Sequence, residues 1–276
     1  MENEFILVTG GAGSVGSELV RQLAPKNNVF IIDNNETAFF DLYEELENEG
    51  IKIQGKIGDI RDENTFKDIP SVFGFPTYIF HAAALKHVTP SEWYPMEYVK
   101  TNILGTQNVI NFAKSFGCVF FVNISTDKVV NAESIMGITK KVAEKMVKNA
   151  GYISVRFGNV MGSRGSVLPI WQKQVEQGKP ITVTDERMER YMMTIPQACE
   201  LVIQAATYDN FGKVLVLDMG KHVNILQLAK EIIQKSGRDI EIKTIGMRKG
   251  ETLSEKLMKE EEEKSSKKED NYWILE

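Results

Sequence analysis

The segment Thr9-Gly10-Gly11-Ala12-Gly13-Ser14-Val15-Gly16 places glycines at 10, 13 and 16, the spacing of a loop able to bind phosphate. Gly10 would permit a tight turn, Gly13 would let backbone approach a pyrophosphate, and Gly16 would let a helix pack closely on a strand. A helix opening at Ser14 and Val15 would aim free N–H groups and its positive end at the phosphates. The flanks agree: Phe5-Ile6-Leu7-Val8 is continuously apolar, as in a strand covered on both faces, while Val15, Leu19 and Leu23 share one helical face. Asp33 ends the next apolar run, where a carboxylate accepts hydrogen bonds from adenosine ribose hydroxyls and repels a 2′-phosphate. No Arg follows it in Asn34-Asn35-Glu36-Thr37, so NAD is expected rather than NADP. Asp59-Ile60 and Ala82-Ala83-Ala84 follow the third and fourth strands and would flank the adenine and the pyrophosphate. A turn residue at Asp33 and a close-packed turn at 82–84 are the plainer alternatives.

A second group begins with Ser125-Thr126-Asp127-Lys128, directly after a strand, and continues with Met136-Gly137-Ile138-Thr139-Lys140. Taken singly, these residues have structural explanations. Thr126-Asp127 would cap the following turn, Lys140 would be an exposed helix lysine, and Met136 would fill the core. Neither spacing nor composition chooses between those roles and chemistry.

The combination resembles the nucleotide-sugar 4,6-dehydratases of the extended short-chain dehydrogenase/reductase type, especially the UDP-N-acetylglucosamine branch. The stretches that carry the resemblance are His81 to Val88, Ser125 to Lys128, Met136 to Lys140, Arg156 to Val167, Glu189 to Thr194 and Gly246 to Glu251. Short-chain dehydrogenases place a Tyr four residues before a Lys on one helix face. Here Lys140 is present and Met136 stands at the Tyr position, as in the subgroup that retains C5 configuration. The resemblance implies NAD as cofactor and UDP-N-acetylglucosamine as substrate. Hydride would leave sugar C4 for NAD, Lys128 in its neutral form would take the C5 proton, and protonated Asp127 would donate to the departing C6 hydroxyl. A thioether exchanges no proton, so Asp127, directly or through Thr126, is expected to deprotonate the C4 hydroxyl in place of the missing phenol. The resemblance also implies Lys86, Asn102 and Lys140 at the cofactor. For the substrate it implies Lys86, Asn159, Ser166, Val167, Arg190, Arg248 and Glu251, the two arginines offering charge-assisted bonds to phosphates. Thr252 stands where the family usually has Lys. Relatives with the Met resemble this chain joined to a membrane-spanning N-terminal region, which is not expected here, and a homo-oligomer is common among them. A sugar-nucleotide epimerase on the same scaffold and a non-catalytic dinucleotide sensor are the rival expectations.

The elements that must position these groups alternate. Short apolar runs recur at Val29 to Ile32, Tyr78 to Phe80, Val119 to Ile124 and Tyr152 to Phe157, with helical stretches between them, one an acidic amphipathic helix over about 36–49 closed by Gly50. Such alternation predicts an α/β fold, a doubly wound parallel sheet of the Rossmann type, with a small C-terminal substrate-binding subdomain. Residues 1–160 would form the NAD-binding domain, with 191–220 returning to it. Residues 161–190 and 221–276 would form the subdomain. Helices near 196–208 and 225–236 would flank a strand at Val214 to Leu217. Lys259 to Asp270, mostly Glu, Lys and Ser, reads as a solvated, mobile stretch.

Composition excludes some classes. A hydrophobic fraction of 42% with 26% charged residues is that of an ordinary soluble protein. A formal net charge of −5 argues against nucleic acid as the partner. Cys118 and Cys199 lie in apolar surroundings and read as reduced thiols. His81 and His87 lack a third ligand at metal spacing, so no metal is expected. No leader and no apolar run of membrane-spanning length is visible, so the expected location is the cytoplasm.

Overall fold

The computed structural model describes residues 1–208, 211–248 and 250–276. Its first half alternates strand and helix: β1 (Phe5–Thr9), α1 (Ser14–Leu23), β2 (Asn28–Asp33), α2 (Glu36–Asn48) and β3 (Gln54–Ile57). A short helix α3 (Ile69–Val72) leads to β4 (Tyr78–His81), then to α4 (Val88–Trp93), α5 (Pro95–Tyr98), a π-helical stretch over Val99–Gly105 and α6 (Thr106–Ser115). After β5 (Phe120–Ile124), α7 (Ile135–Asn149) and β6 (Ile153–Arg156), the pieces shorten into β7 (Asn159–Met161), α8 (Val167–Glu176), β8 (Ile181–Val183), β9 (Glu189–Arg190) and β10 (Met192–Thr194). The chain ends with α9 (Ile195–Ala205), β11 (Val214–Leu217), β12 (Val223–Asn224), α10 (Ile225–Ser236), β13 (Ile242–Thr244), α11 (Glu260–Ser265), β14 (Lys267–Glu269) and β15 (Tyr272–Leu275).

The main sheet has the order β14-β15-β11-β6-β5-β4-β1-β2-β3, and β3 through β11 pair in parallel. The expected doubly wound parallel sheet is therefore present. The central strands β1, β2 and β4 are mainly apolar because both faces are covered: one face packs Leu19, Val20 and Val202 over Ile6, Val8 and Ile31, the other packs Phe66, Val109 and Ala113 over Leu7, Ile32 and Ile79. Local chemistry sets the helix ends. The Asn35 side chain accepts from Ala38 N at 3.0 Å to start α2, and Ser134 accepts from Gly137 N at 3.1 Å to start α7. A separate apolar cluster of Trp171, Val175, Ile181, Val183, Met188, Ile225 and Ala229 holds α8 and α10 around the β8–β13 pair.

The C-terminal end departs from the expectation. Instead of a mobile stretch belonging to a subdomain over 221–276, residues 260–265 form α11 and the last two strands add an antiparallel hairpin to the edge of the main sheet. The physical reason is Arg156, buried at the end of β6. Its guanidinium donates to Leu257 O at 3.0 Å, to Glu262 Oε2 at 2.9 Å and to Glu144 Oε1 at 2.6 Å. Composition describes Lys259 to Asp270 as solvated because it does not reveal that Glu262 has a buried cation waiting for it. Among the described residues no helix is long and apolar enough to cross a membrane.

Candidate active site

Strand order reverses between β1 and β4, and the crevice above their carboxyl ends is where open α/β sheets bind ligands. The glycine loop sits there. Gly10 has φ +67°, and a Cβ on it would lie 2.6 Å from Ala83 N, so the loops after β1 and β4 touch only because the side chain is missing. At Gly16 a Cβ would lie 2.0 Å from Gly10 O, which is the close helix–strand packing expected of it. Gly13 is the extended N-cap of α1, so the first N–H groups of the helix, at Ser14 and Val15, open toward the crevice. Asp33 accepts from Ala12 N at 2.9 Å and from Asn35 N at 2.9 Å, which holds its carboxylate beside the glycine loop. This cradle fits a dinucleotide: backbone donors converge where a pyrophosphate would lie, and an acid stands at the ribose end.

Other residues assigned to the cofactor lie around the same crevice in different roles. The Asp59 carboxylate accepts from Arg61 Nε at 2.8 Å, and Ile60 is buried against Gly105. Asn102 is buried and spends its amide on a neighbouring loop: its Oδ1 accepts from Leu85 N at 2.8 Å, and its Nδ2 donates to Leu85 O at 3.0 Å and Thr139 Oγ1 at 3.1 Å. It clamps the loop after β4 to α7. His81, buried below, has Nδ1 2.7 Å from Thr9 Oγ1 and Nε2 2.9 Å from Thr106 Oγ1. Because the Thr106 hydroxyl donates to Asn102 O at 2.8 Å, it accepts from His81 Nε2, and Nδ1 accepts from Thr9. Burial pushes the imidazole down to about 3, so it stays neutral. Among the described residues no cluster of His, Cys, Asp and Glu is built to hold a metal.

Beyond β5 the chain turns at Thr126, whose side chain accepts from Lys128 N, and this turn points the Asp127-Lys128 pair into the site. The Asp127 side chain is fully buried. Its Oδ1 accepts from Thr126 Oγ1 at 2.9 Å and from Lys128 Nζ at 3.0 Å, while its Oδ2 has no hydrogen-bond partner. Burial raises its pKa to about 7. The Lys128 charge opposes that rise and the Glu255 charge adds to it. Lys128 Nζ donates also to Asn159 Oδ1 at 3.0 Å and Glu255 Oε2 at 2.8 Å. Burial alone would lower its pKa, but the two carboxylates outweigh that and raise it. The expectation of a neutral Lys128 is therefore corrected: three acceptors around one Nζ hold it as an ammonium, with no lone pair in the resting site.

Met136 and Lys140 lie on the buried face of α7 one turn apart. Lys140 is not an exposed helix lysine. Its Nζ donates to Ile124 O at 2.5 Å, and burial, partly opposed by Glu144, brings it down to about 8. At the mouth, Lys86 is exposed. Its pKa is lowered by the partial burial of the ammonium and then by the nearby charges of Arg164 and Lys128, so three cations face one space. Arg164 N donates to Ser14 Oγ at 2.9 Å, which brings the 162–166 loop onto the glycine loop. Ser166 caps α8 in extended conformation with its hydroxyl buried and unpartnered, and Val167 begins that helix.

Two arginines are placed differently from each other. Arg190 is buried and donates to Glu189 O at 2.7 Å, Leu253 O at 3.0 Å and Thr252 O at 2.7 Å, with Nε 3.5 Å from Glu255 Oε1. In this arrangement its guanidinium clamps residues 252–255 to β9. Arg248 is exposed; its backbone N donates to Glu251 Oε2 at 2.9 Å in a turn before Gly250. Lys249, part of the same motif, lies outside the described residues. The site residue absent from the sequence reading is Glu255, which that clamp carries to Lys128. Its only signal was a spacing of two from Leu253 and Leu257, which an extended chain turns to one face.

The family model described as polysaccharide biosynthesis protein matches residues 6–276. The capsular polysaccharide biosynthesis protein CapD of Staphylococcus aureus is 41% identical over 277 residues, covering 95% of this chain and 46% of CapD, so the chain spans about half the length of that relative. A UDP-glucose 4-epimerase of Rickettsia rickettsii is 34% identical over 275 residues, covering 94% of this chain and 79% of the epimerase. Among solved structures, Pen from Bacillus thuringiensis superposes with a TM-score of 0.93 at 33% identity, over 99% of this chain and 89% of that one. With the family model spanning nearly every residue and the glycine cradle, reversed strand order and Asp127-Lys128 pair in place, the chain belongs to the polysaccharide biosynthesis protein family, on the extended short-chain dehydrogenase/reductase fold.

Proposed function

We propose that this chain is an NAD-dependent UDP-N-acetylglucosamine 4,6-dehydratase that retains configuration at C5. The observation that carries this is the buried Asp127, poised near neutral pH, joined on one side to the Thr126 hydroxyl and on the other to Lys128. A dehydratase needs a group that first accepts a proton and later returns it to a leaving hydroxyl, and a carboxyl titrating near the working pH does both. NAD, held by the glycine cradle with Asp33 at the ribose, supplies the hydride acceptor for C4 and the donor for C6.

The chain's own groups then divide the proton work. Asp127 in its ionised form takes the C4 hydroxyl proton through Thr126, whose Oγ1 already donates to Oδ1. The resulting acid donates to the C6 oxygen, which leaves as water. As Asp127 gives its proton to the C6 oxygen, Lys128 passes its own proton to Asp127 and takes the C5 proton in return. It then returns a proton to C5 from the same side, which favours retention. Lys140 orients the ribose next to the nicotinamide, and Met136 packs where a phenol would otherwise stand. Lys86 and Arg164 at the mouth suit a diphosphate, with Asn159, Ser166 and Val167 along the sugar's path. Arg248 and Glu251 close the nucleotide end.

The 34% identical epimerase favours inversion at C4 as a second reading. An epimerase has no use for an acid beside C6, which makes Asp127-Lys128 the discriminating feature. Incubation with UDP-N-acetylglucosamine in deuterated water, followed by NMR, separates the two. A C6 methyl next to a 4-keto group with deuterium at C5 supports dehydration, and ring couplings report C5. A product inverted at C4 that keeps its C6 hydroxymethyl group refutes it.

A further inference from the structure

Two buried carboxylates, one adjacent in sequence and one distant, meet at Lys128 Nζ. Asp127 lies next to it in sequence, Glu255 arrives from the C-terminal segment, and Arg190 stands behind Glu255. Glu255 has two cations, at 2.8 Å and 3.5 Å, while Asp127 has only a share of one. Its second oxygen, Oδ2, is buried without a partner and faces Gly158, on which a Cβ would lie 2.9 Å away. Two carboxylates and one ammonium in a buried space leave excess negative charge, and a proton relieves it at the less compensated carboxylate.

We propose that Glu255 is a positioning residue of the acid–base centre: by taking the larger share of the Lys128 ammonium, it keeps Asp127 able to accept and release a proton. Its relevance to catalysis rests on the dehydratase reading above. Glu255 itself stays ionised, held well below the usual carboxylate range, because Lys128, a hydrogen bond shared with Asp127, and Arg190 together outweigh its burial. The elements around Asp127 supply its polar and charged neighbours. Its own turn supplies Thr126 and Lys128, the segment after β6 supplies Asn159, and the β9–β10 connection supplies the Tyr191 phenol, itself raised by burial and by Glu263, Asp127 and Asp218. The C-terminal segment supplies Glu255. On α7, Lys140 and Glu144 are engaged with Ile124 O, Ser125 and Arg156. Of these, Glu255 is the negative group that competes directly for Lys128.

Arg190 makes this dependence structural. Its three bonds to carbonyls of Glu189, Thr252 and Leu253 hold the 252–255 segment in place, and Glu255 is carried with it. The His222 ring, 2.9 Å from Glu255 O and 3.8 Å from the Tyr191 ring, packs the same segment from the other side.

The test is a direct titration of the Asp127 carboxyl by carbon NMR on protein labelled at aspartate, NAD-loaded and without sugar, with Asp127→Asn assigning the signal. In Glu255→Gln, Asp127 has Lys128 to itself and its midpoint falls by about one to three pH units, the usual effect of one close opposite charge. Glu255→Asp keeps the charge but draws it one carbon back, so its midpoint lies between the two. If Glu255→Gln does not fold, the fall in Glu255→Asp carries the test alone. An Asp127 midpoint unchanged in a folded Glu255 variant overturns the proposal and makes Glu255 a mere tether. That outcome leaves the dehydratase reading intact, whereas a wild-type protein that turns over no nucleotide sugar removes that reading without touching the titration.

Discussion

Replacing Asp127 with Asn is the sharpest test of the proton work assigned to this site. The amide is nearly isosteric, and its oxygen takes the place of Oδ1, accepting from Thr126 and Lys128 as before. The NH2 then falls at Oδ2, which has no partner, so folding loses at most about 1–3 kcal/mol for one unsatisfied buried donor. Lys128 keeps Asn159 and Glu255, and the glycine cradle lies elsewhere, so NAD binding is unchanged. Only the exchangeable proton is lost. General acid–base catalysis contributes roughly 10²- to 10⁴-fold, so kcat falls by that factor, about 3–5 kcal/mol of barrier, with KM nearly constant. The assay is product formation from UDP-N-acetylglucosamine by NMR, with NAD binding followed by fluorescence and stability by thermal melting. A kcat within about tenfold of wild type, in protein that still binds NAD, refutes the role given to Asp127.

Asp127 must be ionised to take the C4 proton, so kcat/KM should fall as pH drops below about 7, and Asp127→Asn should lose that limb. Stability has the opposite sign. A carboxyl raised from 3.8 to about 7 stabilises the fold fully below the lower value and loses that contribution as pH rises through the upper one. Wild type should therefore lose stability relative to Asp127→Asn between those pH values in urea titrations. Gly16→Ala drives a methyl into the Gly10 carbonyl, and the expected overpacking cost of about 1–3 kcal/mol should accompany loss of NAD fluorescence quenching. An alanine protein that binds NAD normally would contradict the cradle. Glu144→Ala leaves Arg156 buried with only Glu262 as counter-ion, so denaturant unfolding should show a loss of about 3–5 kcal/mol.

Much of the nucleotide half was legible in the residues. A glycine's lack of a side chain is a local property, and so is the apolar run before it. Gly10, Gly13 and Gly16 accordingly announce a close approach whose partners, Ala83 and the Gly10 carbonyl, appear where the pattern requires. Caps such as Asn35 and Ser134 are equally local, and α2 and α7 begin on them. Arg190 is the reverse case. An arginine beside family motifs suggests phosphate, yet whether its guanidinium meets a ligand or three protein carbonyls depends on where residues 252 and 253 lie.

The sequence by itself determined the alternation of strands and helices, the doubly wound sheet, the dinucleotide loop and the presence of an acid next to a lysine after β5. Those features depend on residue type and short spacing. Only the tertiary structure decided the state of that pair. Glu255 lies 127 positions beyond Lys128 along the chain, yet stands 2.8 Å from its Nζ, and burial joins them in one titrating centre. It likewise decided that a charged tail becomes helix and sheet edge, because Arg156 offers Glu262 a buried counter-ion. Coulomb energy depends on distance in space and on the surrounding dielectric, and neither is written in the order of the residues.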